Sequence, residues 1–155
     1  MRIELPFLGK TKNSFIDQGI KEYCSRLKHY SSLHIHVLKT KMKKGWNEEQ
    51  QRCEEGRVLL ASLPQATVKV VLDAGGGQLS SEAFAALISR FEQDGRKHIA
   101  FLIGGPTGHA TEVLDSADHL ISFSKMTFTH DMVRLFLVEQ LYRAYTIKAG
   151  EKYHK

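Results

Sequence analysis

Apolar positions along the chain switch repeatedly between a period of two and one of about 3.6, which predicts alternating strands and helices. Arg2 to Leu8 reads as a first strand closed by Gly9. Phe15, Ile16, Ile20, Tyr23 and Leu27 share one helical face, predicting a helix over 13–30 with Asn13 or Ser14 as its cap. Leu33 to Leu38 alternates as a second strand. Asn47 is placed to cap a helix running to about Leu63, which Pro64 helps to terminate. The β-branched run Val68 to Leu72 predicts a buried third strand ended by Asp73, and Ala74 to Gly77 a flexible turn. A helix from Ser80 or Ser81 to about Gln93 follows, with Gly95 as its C-cap. His98 to Ile103 is a fourth strand, broken sharply by Gly104-Gly-Pro-Thr-Gly108. A short helix over about His109 to Ala117, a fifth strand from His119 to Phe123 and a last helix from about Asp131 to Ala149 complete the series.

Alternating elements with apolar strands predict one α/β domain over 1–155, a mostly parallel sheet flanked by helices. Neither a linker nor a repeat interrupts it. The last helix is apolar almost all round, through Met132, Val133, Leu135, Phe136, Leu137, Val138, Leu141, Tyr142, Tyr145 and Ile147. One stripe can pack on its own sheet and the remainder needs another cover. A homodimer supplies that cover most simply; a helix buried centrally within one chain is the alternative.

Composition narrows the setting. No apolar run approaches the roughly 18 residues that span a bilayer, and the N-terminal apolar stretch is short and carries Glu4 and Pro6. A cytoplasmic protein is expected. Cys24 and Cys53 are far apart and form neither a disulfide framework nor a zinc ribbon, which fits a reducing compartment. The eight histidines are scattered without ligand spacing, so no metal is expected. The net charge of +5 is uneven: residues 1–46 hold ten basic against three acidic residues, leaving the rest slightly acidic. Such a face attracts polyanions, although a solvated basic surface without a partner fits equally well.

Ligands of open α/β sheets bind beyond the carboxyl ends of the strands. Three loops are expected there: Leu72 to Gly77, Gly104 to Gly108 and Phe123 to His130. The second is neither GxGxxG nor a P-loop, and Pro106 removes an amide that a phosphate cradle would use. A phosphate-rich cofactor is disfavoured; a neutral adenosine-type ligand held by backbone groups stays open, as does a pair of plain turns. The third loop, Ser124-Lys-Met-Thr-Phe-Thr-His130, is polar, aromatic and cationic, either a site or a connection capped by Thr129 or Asp131. Tyr142-Arg143 and Tyr153-His-Lys155 can stack on bases and contact phosphates, or form a frayed tail.

Four spaced motifs go further. Leu102-Ile-Gly-Gly-Pro-x-Gly108, Ser122-Phe-Ser-Lys-Met-Thr-Phe-x-His130, Arg134 with Glu139-Gln-Leu-Tyr-Arg-Ala144, and terminal Tyr153-His-Lys155 resemble the ribosomal RNA large-subunit methyltransferase H family, within the SPOUT superfamily of knotted methyltransferases. The resemblance covers the whole chain. It implies a C-terminal trefoil knot, an obligate homodimer, S-adenosyl-L-methionine as cofactor, and methylation of N3 of a pseudouridine in large-subunit (23S) ribosomal RNA, on the assembled ribosome. Carried over by position, it implies a cofactor pocket of Leu72, Gly104, Gly105, Phe123, Ser124, Lys125, Met126, Thr127 and Phe128. Thr129 stands where relatives often have proline.

The imide proton on N3 must leave before or during attack on the methyl group. His130 is the first candidate base, because histidine titrates near physiological pH. Arg134 or Arg143 is a candidate to stabilise negative charge on the base carbonyls, and His154 a second base, delivered across the dimer. Lys39 to Lys44 are expected to contact rRNA phosphates. A basic ribosome-associated factor and a flavodoxin-like small-molecule regulator are the alternatives, and neither explains the four spaced motifs.

Overall fold

The computed structural model describes residues 1–154, His154 by its backbone alone. Strands β1 (Arg2–Leu8), β2 (Ser32–Leu38), β3 (Val68–Gln78), β4 (His98–Ile103) and β5 (His119–Ser122) alternate with helices α1 (Ser14–Leu27), α2 (Glu48–Ala61), α3 (Ser81–Gln93), α4 (Thr111–Asp115) and α5 (His130–Lys148). All pairings are parallel, in the order β2-β1-β4-β3-β5. Parallel strands need crossovers that cover the sheet, so both faces are buried over β1, β4 and the first half of β3, while Ile35 and Val37 of the edge strand β2 stay exposed. Ile3, Leu5, Val70, Ile99 and Phe101 pack under α1, α3 and α5. Val71, Ala100 and Leu102, from the opposite face of the same strands, meet Ala110 and Val113 beside α2 and α4.

Local chemistry sets the element ends. Asn13 Oδ1 accepts the amides of Phe15 and Ile16 at the start of α1. Asn47 and Gln50 exchange bonds in a capping box at α2. After α3, Gly95 adopts φ 67°, which lets Arg96 N–H reach back to Phe91 O at 3.0 Å.

Two expectations need correction. β3 does not stop at Asp73. Ile121 of β5 pairs with both Leu72 and Gly77, so 73–76 bulge out and the chain rejoins the sheet through Gln78. Asp73 Oδ1 closes the bulge on Gly75 N–H at 2.8 Å. Gly76 touches β5 so closely that a Cβ there would lie 2.5 Å from the Ile121 carbonyl carbon. Helix α5, in turn, finds more cover within its own chain than its composition suggests. It lies against both α1 and α3, and none of its residues from His130 to Ile147 is fully exposed.

α5 starts far from where β5 ends. Asp131 Oδ2 accepts the amides of Lys12 and Asn13, beyond β1. Residues 123–129 therefore cross the carboxyl ends of β3 and β4 on the way from the β5 edge.

Candidate active site

That crossing encloses a cleft of about 230 Å³. Its floor is the end of three strands, at Leu72, Ile103 and Ser122; its walls are Asp73 and Ala74 of the bulge, Gly104 to Pro106 with Gly108 and His109, and residues of 123–130. The three loops expected from the sequence thus converge on one site. Of the nine residues assigned to a cofactor pocket, Leu72, Gly104, Gly105, Phe123, Ser124, Met126, Thr127 and Phe128 line it. Lys125 is exposed and is not among the lining residues.

The glycine loop is shaped by close approach at Gly104 and Gly105 and by a left-handed backbone, φ 86°, at Gly108. A Cβ on Gly104 would sit 2.8 Å from the Gly108 carbonyl carbon, and one on Gly105 would run into the Glu55 carboxyl of α2. Gly108 N–H donates to Gly105 O at 3.0 Å, closing the loop on itself. His109 then points under the cleft floor, with Nε2–H donating to Leu72 O at 3.0 Å. Burial holds this imidazole below the usual histidine range, against its bond to Leu72 and the charge of Asp73. It is a neutral brace between β3 and the glycine loop.

The third loop is tied down by two serines. Ser122 Oγ donates to Ser124 O at 2.8 Å, and Met126 N–H donates to Ser124 Oγ at 2.9 Å. Met126 stays 73% exposed at the cleft mouth, an apolar wall with nothing against it. Phe128 meets Phe136 edge to face. Thr129 caps α5 by accepting Met132 N–H, a bond that a proline at this position could not make.

His130 lines the cleft from the first turn of α5. Burial lowers its pKa first, and the Arg134 and Lys12 charges add to this, while Asp131 opposes it. At neutral pH the ring is therefore uncharged, with Asp131 Oδ1 at 3.5 Å from Nε2.

Arg134 does not reach the cleft. It is 2% exposed, donates to Leu8 O at 2.7 Å and Thr11 Oγ1 at 3.2 Å, and lies over the Phe7 ring. It locks α5 to the end of β1 and so fixes where His130 stands. Arg134→Lys is expected to cost about 2 kcal/mol of stability, because one ammonium cannot replace the planar fork. Urea unfolding measures this; unchanged stability with impaired activity would place Arg134 at the reacting base instead.

Arg143 is held by Glu139 Oε1 at 2.6 Å and lies over Tyr153. It stands about 20 Å along α5 from His130, at 1.5 Å per residue. The side chain of His154 lies outside the described residues. Among the described residues no group of three could hold a metal ion, and no helix is long and apolar enough to cross a membrane.

His109 and Glu55 are the site residues missed from the sequence. His109 sits in no periodic pattern. Glu55 reads as one more charge on a polar helix, although its neighbour Gly56, where a Cβ would meet Val113 at 2.9 Å, marks the packed face.

Comparison with known proteins places these features. A family model described as predicted SPOUT methyltransferase matches residues 1–154. The chain is 52% identical, over all of both chains, to a protein of Desulfotalea psychrophila named ribosomal RNA large subunit methyltransferase H. Proteins of the same name from Christiangramia forsetii and Halothermothrix orenii are 43% identical over 99% and 40% identical over 100% of each chain.

Proposed function

The chain belongs to the SPOUT methyltransferases, and within them to the ribosomal RNA large subunit methyltransferase H family, and from that premise we propose that it methylates N3 of a pseudouridine in 23S ribosomal RNA. The donor is S-adenosylmethionine and the substrate the assembled ribosome in the cytoplasm. The observation that carries this reading is the convergence of three loops from β3, β4 and β5 on one cleft with an uncharged histidine at its edge.

The cleft suits the cofactor. Its glycine walls bring backbone within reach of a ligand where a Cβ would intrude, Phe123, Met126 and Phe128 offer apolar cover for an adenine, and a buried carboxyl oxygen on Glu55 behind Gly105 has no partner among the described residues. S-adenosylmethionine, when bound, supplies an electrophilic methyl group. The chain aligns methyl and acceptor and excludes water. Asp131 faces His130 Nε2, which leaves Nδ1 to accept the imide proton of the target base. The resulting imidazolium lies beside the Asp131 carboxylate, which favours it.

The same reading includes a trefoil knot and a homodimer. The excursion of 123–129 in front of the two glycine loops is a crossing of the kind a knot requires. Phe136, Tyr142 and Arg143 of α5 are only half-buried, and Arg143 is too distant to serve the cleft of its own chain. A second copy would bring it, with the C-terminal residues, to the partner cleft.

Exposed Lys39, Lys41, Lys43 and Lys44 precede Trp46, which Lys43 overlies at 5.6 Å. Replacing the four lysines with alanine is expected to weaken ribosome binding and to reduce the slope of log affinity against log salt by roughly one for each phosphate no longer neutralised. A salt slope equal to wild type would remove this segment from the interface. The reaction itself is tested in cells. Ribosomal RNA from a strain lacking the protein should carry one pseudouridine short of a methyl group, and restoring the gene should restore it. An identical modification pattern in both strains would refute the assignment.

A further inference from the structure

Glu55 is an acidic side chain buried behind the glycine wall of the cofactor cleft without being part of its surface. It projects from α2, is 8% exposed, and has Oε2 buried with no hydrogen-bond partner among the described residues. The carboxyl occupies the space a side chain on Gly105 would fill, since a Cβ there would lie within 2.8 Å of both oxygens. Only the Gly105 backbone, which does line the cleft, separates the two. Two further unpartnered buried polar atoms, Thr107 Oγ1 and His109 Nδ1, belong to the same loop. A buried polar group without a partner is costly, and two on the loop with a third on the helix behind it mark a place prepared for something else.

We propose that the Glu55 carboxyl is the counter-charge for the sulfonium of the methyl donor, acting through the thin glycine wall of the cleft. This rests on the methyl-donor reading above. In the free protein burial alone pushes the Glu55 carboxyl above the usual carboxylate range, because nothing cationic faces it among the described residues. On its own helix, Arg52 is turned to Thr107 O. Ala110, at the start of α4, and Val113 of α4 are uncharged and pack on the adjacent Gly56. His109 is neutral, and Asp73, across the cleft, is an anion that holds Gly75 N–H. A positive sulfur entering the cleft favours the ionised carboxylate, so donor binding expels a proton. The demethylated product carries a neutral thioether and gains nothing from the charge. Glu55 thus lets the site hold donor more tightly than product, which speeds exchange after each turnover.

The test is calorimetric titration of the whole protein with S-adenosylmethionine and with S-adenosylhomocysteine, in two buffers of different ionisation enthalpy, across a pH series that starts near the ordinary carboxylate range, about 4.3 for a glutamate, and runs upward. In the wild type, donor binding should release protons at the acid end and strengthen as pH rises, while product binding does so much less. Glu55→Gln should weaken the donor by about tenfold, leave the product nearly unchanged, and abolish the proton release. Equal weakening of both ligands would mean that Glu55 only braces the loop and would overturn the proposal, as would an unchanged donor affinity. Should the variant fail to fold, the wild-type comparison decides alone: equal proton release with donor and product refutes it. A wild type that binds neither ligand overturns the methyl-donor reading itself.

Discussion

His130→Ala is expected to lower kcat for methyl transfer by roughly a hundred- to ten-thousandfold, the usual contribution of a positioned general base, while affinity for S-adenosylmethionine and thermal stability stay close to wild type. The ring lies at the edge of the cleft, at the capped start of a helix, so its loss removes no core packing. The pH profile gives the sharper signature. A base must be neutral to accept a proton, and burial, with Arg134 and Lys12, lowers the pKa of His130. Activity should therefore be flat through neutrality and fall only as pH drops through a value below the ordinary histidine range. The variant should lose that acid limb. Near-normal turnover in His130→Ala would remove this residue from the chemistry.

Gly104→Ala should be nearly as damaging, by a different route. The new Cβ would stand 2.8 Å and 2.9 Å from the Gly108 carbonyl carbon and oxygen, and 3.2 Å from the His109 ring. Two of these are backbone atoms, fixed by the bond between Gly108 N–H and Gly105 O, so the loop cannot yield by turning a side chain. Overpacking of this kind costs roughly 1–3 kcal/mol. Part of that falls on the fold and part on the cleft that the loop walls. Donor affinity should drop by about tenfold or more, since about 1.4 kcal/mol is a factor of ten. Titration calorimetry with the donor measures this, and an affinity equal to wild type would show that Gly104 does not shape the pocket.

Periodicity is enough to find all five strands and five helices, because β1, β4 and the first half of β3 are buried on both faces and run almost continuously apolar, while β2 at the edge alternates. What it misses depends on pairing between distant segments. The bulge that returns Gly77 and Gln78 to the sheet exists only because β5 lies alongside, and a run of glycines by itself reads as a turn. Arg134 reads as a cation available to substrate; its burial follows from Leu8 O and Thr11 arriving from the other end of the chain. The apolar surround of α5 is legible, but its cover comes in large part from α1 and α3. The three loops are correctly expected at the carboxyl ends of the strands. Their reading as a methyl-donor pocket comes from the four spaced motifs and the family they resemble, since glycines and a lone histidine specify no reaction. Glu55 is hidden by its type: a glutamate on a polar helix is ordinarily solvated, and only the close packing at Gly56 signals otherwise.

The decisive question is whether this protein itself carries a methyl group from S-adenosylmethionine to one base of the large ribosomal subunit. Purified protein, labelled donor and ribosomes from cells that lack the protein answer it, with the label mapped by mass spectrometry of the RNA. Stoichiometric label at N3 of one pseudouridine in the large-subunit RNA is expected. Absence of label with the donor demonstrably bound and the pseudouridine present, or label on another class of base, would contradict the proposed reaction.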